Sequence, residues 1–153
     1  MNVDIRRAVE SDAGSVARLY IRARQAGAAA GTIPPSVHDD LDVRHWISHH
    51  VIPTLECWVA ERAPSTIVGM LVLEDDWVDQ LYVEPDLTGA GIGTQLIDLA
   101  KSERPDGLKL WTFASNQGAQ RFYLRHGFHE VLRTDGQENE ERAPDIQFAW
   151  LPA

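Results

Sequence analysis

The apolar positions of this chain switch between two periods, and the switches lay out its elements. Residues 4–8 read as a short first strand. Val16, Leu19, Tyr20 and Ala23 then recur at helical spacing behind the capping residues Ser11 and Asp12, which predicts a helix to about residue 26. The small, proline-terminated stretch 27–35 reads as a loop. Leu41, His45, Trp46 and His49 mark a second helix over 39–51, stopped by Pro53. Strands follow at 56–61, 66–73 and 77–83, the first two joined by residues 62–65. A helix over 91–103 places Ile92, Leu96, Leu99 and Ala100 inward. A buried strand at 108–113, a helix at 116–126 and a last antiparallel pair at 128–134 and 146–151 complete the chain. The order β-α-α-β-β-β-α-β-α-β-β predicts a mixed α/β fold. No repeat or linker interrupts it, so residues 1–153 read as a single domain.

The join between the strand at 77–83 and the helix at 91–103 carries the sharpest chemistry. It reads Leu-Tyr-Val-Glu-Pro-Asp-Leu-Thr-Gly-Ala-Gly-Ile-Gly from Leu81 to Gly93. N–H groups at a helix start lack intrahelical partners, and the helix dipole adds positive potential, so such a bend suits a pyrophosphate. Gly89, Gly91 and Gly93 let the backbone approach it closely. A P-loop would need Gly-Lys-Ser/Thr, whereas Gly93 is followed by Thr94 and Gln95. A dinucleotide fingerprint is also unsuited: counted from Gly91, its third glycine falls on Leu96.

A second cluster spans residues 115–128. Asn116 can cap a helix on which Ala119, Phe122, Tyr123 and His126 recur, and Gly127 ends it before Phe128. The two clusters, in this order and separated by one helix and one strand, resemble the GNAT superfamily of acetyl-CoA-dependent N-acetyltransferases. The first is similar to its acetyl-CoA loop, the second to its pattern Asn-x-x-Ala-x-x-Phe-Tyr-x-x-x-Gly-Phe. The resemblance implies the GNAT fold, a twisted mixed β-sheet with helices on both faces. It implies acetyl transfer from acetyl-CoA directly to a primary amine, without an acetyl-enzyme, and a homodimer. Leu81, Tyr82 and Val83 would pair with the pantetheine arm. Gly89, Ala90, Gly91, Ile92, Gly93 and Thr94 would cradle the pyrophosphate, and Asn116 would contact the cofactor. Thr88 stands where the family has Gln or Arg, which implies one lost phosphate contact.

Tyr123 matches the family's general acid, and a phenol can protonate a thiolate. Packing against the core is the other role open to it. The strand at 108–113 lacks the glutamate that some members use as base. Among Glu74, Asp75, Asp76 and Asp79, Asp79 is the candidate, since it lies two residues before Leu81 on the same strand face under alternation. Binding the amine, or a water relay in place of a base, stays open. Tyr20, His45 and Trp46, on the first two helices, would shape the acceptor pocket. The acidic connection 135–144 would border it.

The remaining composition narrows partners. A net charge of −9 argues against nucleic acid and suits cationic acceptors. No apolar run reaches the ~20 residues of a membrane span, and no secretory h-region opens the chain. The single cysteine, Cys57, cannot form an intramolecular disulfide, which fits a cytoplasmic protein. His45 and His49 share a helical face, but no third ligand accompanies them, so no metal is expected. A catalytically weak acyl-CoA-binding sensor on the same scaffold is the alternative to an enzyme.

Overall fold

The computed structural model describes residues 2–153. Seven strands form one sheet in the order β1-β2-β3-β4-β5-β7-β6. They are β1 (Asp4–Arg7), β2 (Glu56–Arg62), β3 (Thr66–Glu74), β4 (Trp77–Val83), β5 (Leu108–Phe113), β6 (His129–Thr134) and β7 (Asp145–Trp150). All neighbours pair antiparallel except β4 and β5, which run parallel. Helices α1 (Ala13–Ala30), α2 (Asp40–Trp46) and α3 (Ile52–Thr54) cover one face; α4 (Ile92–Glu103) and α5 (Gln117–Arg125) cover the other.

The two cores follow from strand alternation, shifted by one residue where β3 bulges at Val68 against β2. Ile67, Met70 and Val72 of β3 pack toward α1 and α2 with Val16, Leu19, Val43, Ile47 and Val51. Val68, Leu71 and Leu73 pack toward α4 and α5 with Ile92, Leu96, Tyr123 and Phe148. A strand covered on both faces reads as the continuous apolar run seen at 67–73.

Three local features depart from the sequence expectation. Helix α1 runs past Gly27 to Ala30, because Ala28, Ala29 and Ala30 are strong helix formers and Gly31, at φ +75°, ends it instead. Gly27 is an internal packing site: a Cβ there would lie 2.7 Å from Ile33 Cγ1. The helix begun by Asp39 does not stop at Pro53. It widens to a π-turn over Ile47–Val51 and continues as α3. The wider turn removes the i−4 bond that a proline cannot donate. Asp12 does not cap α1 with its side chain. Its carboxylate takes a bidentate pair from Arg6 at 2.8 and 3.0 Å and the Val9 N–H at 2.8 Å.

Candidate active site

Strand β4 is the spine of the site. It joins β5 through one register pair, Trp77 with Lys109, where the Lys109 N–H donates to the Asp76 carbonyl at 2.9 Å. Beyond that point the two strands diverge. The Glu84 N–H donates to the Val68 carbonyl at 2.8 Å, so Glu84 and, by two-residue alternation, Tyr82 turn their main-chain groups to β3. Leu81 and Val83 therefore present theirs to the gap. Leu81, Tyr82, Leu110, Thr112, Asn116 and Tyr123 line a cleft of about 130 Å³ there. An extended amide-bearing chain can complete the missing strand pairing.

The gap leads to the N-terminus of α4. A turn at Pro85–Leu87 and the bend after it place Gly89 at φ +84° and Gly91 at φ +87°. A Cβ at either glycine would meet nothing within 4 Å, so these two serve backbone conformation at an open surface. Gly93 differs: its Cβ would lie 3.3 Å from the Phe122 ring, so this glycine lets α4 approach α5. Gly91 is the N-cap, and no side chain caps α4. The first-turn N–H groups of Ile92, Gly93 and Thr94 are thus available for an anion. Ala90 directs its N–H to the Leu87 carbonyl at 3.3 Å. Arg22 of α1 braces the turn through Glu84, its Nε 2.9 Å from Oε1. Thr88 is exposed, and its hydroxyl faces back to the Pro85 carbonyl at 3.4 Å.

Helix α5 supplies the other wall. The Asn116 Oδ1 accepts the Ala119 N–H at 3.2 Å, so its capping role leaves the amide nitrogen over. Tyr123 is 9% exposed and sits among Phe122, Phe128 and Phe148 at 5.3, 5.5 and 6.4 Å between ring centroids. Burial pushes its phenol well above the ordinary tyrosine value, with the nearby Tyr82 adding to the effect. Tyr123 therefore stays protonated as a hydrogen-bond donor.

Asp79 requires a correction. Leu73 pairs with Val78 and Val72 with Gln80, so Asp79 is the extra residue of a β-bulge. The bulge shifts the phase: Val78, not Asp79, joins Leu81 and Val83 in the core beneath α4 and α5. Asp79 still lines the β4–β5 cleft with Leu81 and Tyr123, at its edge toward the α1–α2 side, within electrostatic reach of Tyr20, Tyr82 and His50. It reaches solvent at the cleft edge, and the protein walls around it desolvate the carboxylate and raise its pKa; the Gln80 amide at 3.3 Å partly opposes this.

A cavity of about 510 Å³ opens on that side. Tyr20 and Trp46 line it, packed edge-on at 5.5 Å, and Tyr20 meets Tyr82 at 5.1 Å. His45 does not: it is exposed and stacks on His49 at 4.0 Å, because the helix turns that face to solvent. Sequence reasoning missed Arg24 and His38, which do line the cavity, and reached Glu141 only as part of the 135–144 connection. Arg24 follows Tyr20 by four residues on α1, a spacing that puts both on one face. The acidic 135–144 connection closes over the mouth, where His38 Nε2 and Glu140 Oε1 lie 2.5 Å apart. Among the described residues, no three His, Cys, Asp or Glu side chains gather as a metal site. Cys57 is buried, and its thiol is pushed up to about 12 by desolvation, so it is no nucleophile.

The family model for the acetyltransferase (GNAT) domain matches residues 53–130. The peptidyl-lysine N-acetyltransferase YjaB of Escherichia coli K12 is 28% identical over 102 residues, 67% of this chain and 69% of that protein. The solution structure of apo YjaB from Escherichia coli aligns over all of both chains with a TM-score of 0.78 at 24% identity. The structure of yncA from Salmonella typhimurium with its cofactor acetyl-CoA aligns with a TM-score of 0.71 at 18% identity, over 97% of this chain and 92% of that one. Among the described residues, no helix is long and apolar enough to cross a membrane.

Proposed function

The chain belongs to the GNAT acetyltransferase family, and from that premise we propose that it transfers the acetyl group of acetyl-CoA directly to a primary amine of a small or cationic acceptor. The observation that carries this reading is the continuous path from the unpaired edge at Leu81 and Val83 to the uncapped N-terminus of α4. Main-chain donors along it suit a pantetheine amide chain ending in a pyrophosphate. The open space in front of Gly89 and Gly91 fits such a group.

Acetyl-CoA supplies a thioester: its carbonyl carbon gains the amine nitrogen as the C–S bond breaks, giving an amide and the CoA thiolate, which solvent then protonates to the thiol. Tyr123 donates its O–H toward the departing sulfur. Its raised proton affinity makes that contact a hydrogen bond to the developing thiolate more than a completed transfer. Asp79 takes the proton lost by the amine, directly or through water, and its raised pKa brings it nearer the working range of a base. Tyr20 and Trp46 position the acceptor. The carboxylates of Asp42, Glu140 and Glu141 draw in a cation.

The test is CoA release from acetyl-CoA with a panel of primary amines, including free amino acids, diamines and lysine peptides, the last because the relative YjaB is named for peptidyl-lysine. Amine-dependent release with a matching acetylated product supports the reading. Acetyl-CoA binding with no amine-dependent release from any class contradicts it.

A further inference from the structure

Two half-buried residues of opposite charge, Arg24 and Glu141, line the acceptor cavity, and neither Arg24 Nε nor Glu141 Oε2 has a hydrogen-bond partner within the protein. Buried ionic groups normally have their donors and acceptors filled, because leaving one open is costly. These two are of opposite sign and line the same cavity, yet they form no salt bridge with each other. Arg24 is held in place: its Nη1 donates to the Tyr82 hydroxyl at 3.4 Å, and its guanidinium lies 6.0 Å from the Phe113 ring centroid. Tyr20 and Tyr82 lie within electrostatic reach of Arg24, Glu141 and Asp79 together, so the three charges converge on one region. The cavity, at about 510 Å³, far exceeds the ~30 Å³ share of one water.

We propose that the acceptor is a small zwitterionic amine, one that carries a carboxylate close to its amino group. The carboxylate pairs with Arg24, and the amino group enters past Glu141 toward Asp79. A purely cationic acceptor would answer Glu141 but meet repulsion from Arg24. A lysine within a peptide brings no carboxylate of its own. An amino acid answers both of these opposite charges at once. The inference rests on the acetyltransferase reading for the identity of the reacting amine.

The experiment compares kcat/KM for free L-amino acids with that for their carboxamides, and for Nα-acetyl-lysine with its methylamide as the peptide-like control. The free acids should lead their carboxamides by at least about tenfold, because a site built to hydrogen-bond a group rejects the analogue lacking it. In Arg24→Gln the ratio should fall to within about twofold, while the KM for acetyl-CoA is unchanged. Arg24→Lys, which keeps the charge, should fall between the two and serves if Arg24→Gln does not fold. Equal turnover of acids and carboxamides, an acid preference that survives loss of Arg24, or the methylamide as best acceptor would each overturn the proposal. Should no amine be acetylated, the transferase reading fails, and the same pairs titrated calorimetrically into the CoA-saturated protein still decide. Acid-selective binding lost in Arg24→Gln upholds the site, and absent or unselective binding refutes it.

Discussion

Replacing Tyr123 by Phe removes one oxygen and nothing else. The ring is 9% exposed and makes its contacts through carbon, to Phe122, Phe128 and Phe148. Its hydroxyl forms no hydrogen bond within the described residues, so no partner is orphaned. Stability should change by less than about 0.5 kcal/mol, a shift in Tm within roughly 2 °C for a chain of this size. Catalysis should respond far more. General acid assistance contributes about 10²–10⁴ in rate. The raised pKa of Tyr123 limits it to hydrogen-bond stabilisation of the thiolate, which places the loss near the lower end. A fall in kcat of about 10² corresponds to about 2.7 kcal/mol in the barrier. The KM for acetyl-CoA should hold, because main-chain groups bind it. The assay is steady-state CoA release beside a thermal melt. A kcat within twofold of wild type, or a Tm loss large enough to explain the rate, would refute the reasoning and leave Tyr123 as packing.

Gly93→Val should act on packing: its Cβ would press the Phe122 ring at 3.3 Å, and overpacking of this kind costs about 1–3 kcal/mol, read as a Tm lower by roughly 2–10 °C. Asp79→Asn should lower kcat by roughly 10–10² and abolish an acid limb in its pH profile. In wild type that limb should lie above the ordinary Asp value of about 3.9, since burial raises the carboxylate and a base works only when deprotonated. Asp12→Asn should destabilise by about 1.5–3 kcal/mol at pH 7, from the lost charged hydrogen bonds to Arg6. The Arg6 pair holds the Asp12 pKa below its unfolded value. That stabilisation is fully present above about pH 4 and is lost as pH falls through the folded pKa, so the two melts should converge in acid.

Element order and the glycine bend before α4 were legible in the sequence because both rest on local rules. Helical and strand periods give the order, and Gly89 and Gly91 ahead of an amphipathic helix give the bend. What escaped depended on register or on distant pairing. Strict alternation put Asp79 on the face of Leu81; one bulged residue moved Val78 there instead, and nothing in the sequence Trp77–Val83 marks an inserted residue. The π-turn at Ile47–Val51 hid behind a helical pattern, although Pro53 announced some disturbance. His45 and Trp46 are adjacent, and only packing decides which one turns inward. Glu141 lies in the acidic connection expected to border the acceptor, but nothing in that run of charges marks it as the residue that turns inward. Its burial follows from β7 inserting between β5 and β6, which folds the 135–144 connection back over α1.

Calorimetric titration of acetyl-CoA into wild type and Gly91→Val tests the central claim, that the path along β4 into the N-terminus of α4 is a CoA site. Gly91 sits at φ +87° with open space before it. Valine there strains the bend by roughly 1–2 kcal/mol and obstructs the approach while leaving the core intact. The account predicts wild-type binding at one site in the micromolar range. It predicts at least about a tenfold loss in a variant whose Tm falls by only roughly 2–8 °C. No binding by wild type, or equal affinity in a folded Gly91→Val protein, would contradict it.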